Sequence, residues 1–145
     1  MKIVLIAFGL IAATLGGASV TLACSCAPPP PPKTALAQSH AVFVGKVTKI
    51  DGGEGRSVSV TLEATTTWKG VAEKNVVVQT ASDSAACGFT FEVGKSYLVY
   101  AYLTGEEGAK DRALATNICT RTHLVDDRAK EDIAELGPPE KMPPN

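Results

Sequence analysis

The chain has 145 residues and a formal net charge of −1, from 14 Lys+Arg against 15 Asp+Glu. Charges are scattered and form no basic run, which excludes nucleic acid as an electrostatically recruited partner. A chain of this size holds one compact domain, and only four cysteines are available to reinforce it.

Residues 1–23 read as a secretory signal peptide. Lys2 supplies a short positive start, Ile3 to Ala13 is almost wholly apolar, and Thr21-Leu22-Ala23 ends in small residues at the cleavage-compatible positions. The apolar run is short for a membrane span, and Gly16-Gly17 interrupts it. Cleavage after Ala23 makes Cys24 the first residue of a secreted or periplasmic protein. No other stretch is apolar enough to insert, so no stable membrane association is expected after cleavage. The expected organisation is a signal peptide at 1–23, a domain at 24–137 and a flexible tail at 138–145.

Cys24, Cys26, Cys87 and Cys119 form an even set in an exported small domain, which reads as two disulfides. Four cysteines allow three pairings, and counting does not choose among them. A metal site is the other use of such a set. The paired Cys-x-x-Cys spacing it favours is missing, and His40 and His123 are the only histidines.

Pro28 to Pro32 are consecutive and favour a stiff extended stretch. Thr34 is placed to cap a short helix running through about His40. Ala41 to Ile50 is rich in β-branched residues and reads as a first strand. Asp51 to Gly55 forms a turn. From Val58 to Trp68 the residues Val58, Val60, Leu62, Ala64, Thr66 and Trp68 alternate with polar ones, the period of a half-buried strand. Val76–Gln79, Tyr97–Leu103 and Arg112–Ile118 read as further strands, with Thr104–Asp111 as a hairpin loop. Asp126–Leu136 reads as a helix, capped by Asp126 or Asp127, with Ala129, Ile133 and Leu136 on one face and Gly137-Pro138 as its stop. No internal repeat is present. The expected class is mainly β: a five-stranded OB-like Greek-key barrel with two short flanking helices. A two-sheet sandwich is the alternative.

No Ser/His/Asp or Cys/His arrangement suggests catalysis, and the carboxylates of Glu63, Glu92 and Asp111 read as surface charges. The chain is not expected to be an enzyme, and no cofactor is expected.

Four features carry a resemblance to a known family. They are Cys24-Ser25-Cys26-Ala27-Pro28-Pro29 directly after the signal, the helix and strand of Ala35 to Val47, the strand end Trp68-Lys69-Gly70, and the order Cys87-Gly88 then Cys119-Thr120. Together they resemble the N-terminal inhibitory, netrin-like domain of the tissue inhibitors of metalloproteinases. The third bridge of that domain and the second, cysteine-rich domain of the animal members are not found, so the likeness is to single-domain, bacterial-type members. The short turn Asp51 to Arg56 leaves out the long hairpin of some relatives.

The resemblance implies Cys24–Cys87 and Cys26–Cys119 bridges. It implies a zinc metalloprotease as partner, with the main-chain nitrogen and oxygen of Cys24 taking the protease zinc. Ser25 would enter the pocket beyond the scissile position, and Cys26, Ala27, Pro28 and Pro29 would lie in the substrate groove. Ala86, Cys87 and Gly88 would add neighbouring contacts. The protein is expected to be monomeric. Two other readings stand beside this one. The barrel face of a netrin-like module could bind a protein or glycan without inhibiting anything. Alternatively Cys24 could be acylated, making a lipoprotein, although the leucine usual three residues before such a cysteine is replaced by Thr21.

Overall fold

The computed structural model describes residues 24–52 and 57–140. The expected signal peptide, most of the turn after the first strand, and residues 141–145 therefore lie outside the described residues. The elements in chain order are α1 (Pro32–Gln38), β1 (Ala41–Asp51), β2 (Ser57–Lys69), β3 (Asn75–Ala81), β4 (Ser96–Leu103), β5 (Leu114–Ala115), β6 (His123–Leu124) and α2 (Asp127–Leu136).

β1, β2 and β3 form an antiparallel meander. β5 runs parallel to β3 and antiparallel to β4, and β4 returns antiparallel to β1. The five strands close into an OB-like barrel with two short helices, and the sandwich alternative falls away. β6 adds to the other edge of β4, through Tyr97↔Leu124 and Leu98↔His123.

The long alternating strand was legible, but its phase slips. Val60, Leu62 and Ala64 are buried as expected, and then Thr67 is buried where Thr66 was expected. The cause is visible in the register with β1. Val44 pairs with Thr66 while Gly45 pairs with Ala64, so Thr65 is an extra residue. A second irregularity lies between Thr67 and Lys69. Each such bulge shifts the inward and outward sets by one and coils the strand, which barrel closure requires.

Two further expectations are corrected. α1 starts at Pro32 and not after a Thr34 cap. Proline presets the backbone for the first helical position, and Pro31 O accepts the Ala35 N–H at 2.9 Å. The fifth strand shrinks from Arg112–Ile118 to two residues. Thr104 N–H bonds Ala113 O at 2.9 Å and Ala113 N–H bonds Thr104 Oγ1 at 3.2 Å, closing the loop, and Thr120 N–H bonds Asn117 O at 3.2 Å, turning the chain out of the sheet. After α2, Trp68 Nε1–H bonds Gly137 O at 2.8 Å, and Glu140 N–H bonds Thr67 O at 2.7 Å. α2 behaves as read. The Asp126 carboxylate accepts the Ala129 N–H at 3.2 Å, and that bond holds its carboxyl below the usual aspartate range.

Two apolar layers share β1 and β4. Phe43, Val47, Val60, Leu62, Val78, Tyr97 and Val99 fill the barrel. Val42, Leu98, Tyr100 and Trp68 face outward and are covered by Ala35 of α1 and by Ala129 and Leu136 of α2. The unbroken apolar run Ala41-Val42-Phe43 follows from this, since a strand covered on both faces has no polar side.

Candidate functional site

The start of the domain is tied down at two points. Cys24 is bridged to Cys87 and Cys26 to Cys119, across sequence separations of 63 and 93. In the chain-entropy model a bridge over such a loop is worth about 4 kcal/mol, less for the second of two overlapping loops. Cys24 is half-buried, and Ser25, Cys26, Ala27, Pro28 and Pro29 are exposed. Residues 25–29 thus form an exposed strip on a fixed base.

Cys87 lies in a loop built for close approach. The Asp83 carboxylate accepts the Ala86 N–H at 2.9 Å and caps the short 3-10 turn Ser84–Ala86. Gly88 N–H bonds Asp83 O at 2.8 Å, and Phe89 N–H bonds Thr80 Oγ1 at 2.8 Å. Cys87 itself takes a left-handed conformation, φ 63°, which costs a non-glycine residue about 1–2 kcal/mol. Its carbonyl accepts the Ile118 N–H at 3.0 Å, joining this loop to the one carrying Cys119. Ala86 is exposed beside the strip, but Gly88 is buried. Gly88 therefore serves the loop and offers no contact surface. A Cβ there would lie 2.2 Å from Ala81 O. Gly88→Ala is expected to destabilise the domain by roughly 2–4 kcal/mol, read as a lower chemical-denaturation midpoint.

A third tie was not foreseen. Arg121 donates from Nε and Nη2 to the two carboxylate oxygens of Asp132 at 2.9 and 2.6 Å. Its Nη1 donates to Pro30 O at 3.0 Å. The Asp132 side chain is 7% exposed. The Tyr100 hydroxyl lies 3.5 Å from the same carboxylate, and burial, with Asp132 second, raises its pKa well above the usual tyrosine range. Hydrogen bonding to Asp132 likewise raises that of Arg121. His123 stands at the edge of this group, 3.4 Å from Asp132 Oδ2, with Nε2 buried and lacking a hydrogen-bond partner. His40 is exposed beyond α1 and far in sequence from the group. One signal for the buried pair was present: Asp132 falls between Ala129, Ile133 and Leu136 on the apolar stripe of α2, where an exposed charge does not belong.

The sulfurs of Cys24, Cys26 and Cys119 lie within 4.8 Å of one another. Both bridges consume them, and metal binding needs thiolates. What remains for a metal at the strip is main-chain chemistry: an α-amine and the carbonyl of the same residue, once the chain begins at Cys24. No protein-family model matches this chain, and no characterised protein matches it by sequence.

Proposed function

We propose that this chain is an exported inhibitor of zinc metalloproteases, a binding protein and not an enzyme, acting through the amine and carbonyl of Cys24. A catalytic zinc in a protease keeps one position open for the attacking water. A two-toothed ligand on a rigid strip can take that position and expel the water. The observation that carries the reading is the exposed strip Ser25–Pro29 behind a doubly bridged chain start. Its order before binding removes part of the entropic cost of association. The pairing of the bridges is also the one that the resemblance to the tissue inhibitors of metalloproteinases implies. Ser25 then enters the protease pocket next to the zinc, Cys26 to Pro28 follow the substrate groove, and Ala86 and Cys87 flank it.

The reading requires a free amine at Cys24. Intact-mass measurement of exported protein is expected to show loss of residues 1–23 and of four hydrogens, the mass of two disulfides. A lipid-modified Cys24, or a start at any other residue, removes the ligand and with it the proposal.

A further inference from the structure

We infer that Arg121, held by Asp132, is a positioning residue for the N-terminal strip, fixing its outgoing end as the bridges fix its start. This rests on the inhibitor reading only for its consequence in binding; the positioning itself is a property of the free chain.

The two bridges fix only the first part of the strip. They hold Cys24 and Cys26, but the next element, α1, begins only at Pro32. Ala27 to Pro31 lie between. Pro28 to Pro31 have no N–H, so hydrogen bonds to this part of the strip come only through its carbonyls. Pro31 O is taken by the first turn of α1, and the Pro30 carbonyl before it receives Arg121 Nη1. The residue that does this sits two positions after Cys119, the cysteine bridged to Cys26. The segment Cys119–Arg121 therefore grips the strip twice, four residues apart.

Arg121 is itself prevented from swinging. Its planar fork is engaged on both Asp132 oxygens, the geometry in which arginine loses least freedom per bond. Asp132 belongs to α2, which packs on the outer layer through Ala129 and Leu136. The exit angle of the strip is thus referred to the helix and barrel wall, not to a surface side chain. A lysine could reach one of these partners as a point charge but could not span all three acceptor atoms.

The test uses the mature chain with both bridges intact. The variant Arg121→Met alone strands Asp132, so a second variant, Arg121→Met with Asp132→Leu, removes both charges and keeps an apolar filling. Ala27 carries the only amide between Cys26 and Lys33, so backbone relaxation is read there and at the Cα positions of Pro28 to Pro30. In the native chain these sites are expected to be as rigid as the barrel, with order parameters of about 0.85. In the folded double variant they are expected to fall below about 0.6 while Ser25 and the β1 amides do not change. Arg121→Lys is expected to lie between the two. Unchanged order at Ala27 to Pro30 in the folded double variant overturns the inference. Equal loosening at Ser25 and in β1 also overturns it, because the pair would then serve general stability. If the native chain inhibits a zinc protease, the double variant is expected to weaken inhibition about tenfold, through faster dissociation. An unaltered inhibition constant with a loosened strip would overturn the consequence drawn for binding. A native chain that inhibits no zinc protease would overturn the function proposed above, and the relaxation data would still decide the role of Arg121.

Discussion

A mature chain carrying one extra alanine ahead of Cys24 is expected to lose inhibition of a susceptible zinc metalloprotease by about a thousandfold or more. The insertion leaves every bridge and strand in place. It converts the α-amine of Cys24 into an amide, whose nitrogen is no ligand, and moves the new amine onto the added residue. A thousandfold loss corresponds to about 4 kcal/mol of binding free energy. Thermal stability is expected to change little, because Cys24–Cys87 and Cys26–Cys119 hold the start of the domain from the side-chain sulfurs. Fluorogenic-substrate assays and a melting curve on the same preparation separate the two effects. A barrel-face binding module would respond in the opposite way, with the insertion silent and substitutions on the barrel wall disruptive.

The second large effect is on stability. Arg121→Met alone is expected to destabilise the domain by about 3–5 kcal/mol, since it leaves a carboxylate buried without its partner. Asp132 is 7% exposed and takes two of its bonds from Arg121, with His123 Nε2 at 3.4 Å and the Tyr100 hydroxyl at 3.5 Å as the other polar groups beside it. Chemical denaturation with the bridges intact measures this. The paired replacement by Met and Leu is expected to recover most of the loss, because an apolar pair of similar volume carries no desolvation cost. The single variant therefore tests the ion pair as structure, and the double variant isolates its grip on Pro30.

Much of the barrel was legible because its main strands are long and regular. Val58 to Ala64 alternates cleanly, and Ala41 to Ile50 is rich enough in β-branched residues to mark a strand. The bulge at Thr65 was not legible: an extra residue in a ladder is a property of the pair of strands, and one strand's pattern does not contain it. A barrel was expected from the strand count, but the pairing that closes it was hidden for the same reason. It depends on Gln79 meeting Ala115, a single parallel pair between β3 and the two-residue β5. β6 is equally short, and two residues show no period. At the site, the cysteines identified the exposed strip, but their pairing came from family resemblance. The Arg121 grip on Pro30 joins residues 91 positions apart through one side chain and one carbonyl. Local sequence marks only one end of it, in the misplaced charge of Asp132 on the apolar face of α2.

The central claim is that the Cys24 amine reaches the protease zinc, and a cobalt-substituted metalloprotease reports on that directly. Cobalt(II) takes the same ligands as zinc, and its visible absorption follows the number and kind of its donors. Titration with the mature chain is expected to change the cobalt spectrum with one-to-one stoichiometry, in step with inhibition, as nitrogen and carbonyl oxygen replace water. A chain acetylated at its α-amine is expected to leave the spectrum unchanged. Inhibition by the native chain without any change at the cobalt, or the same change with the acetylated chain, would contradict the account.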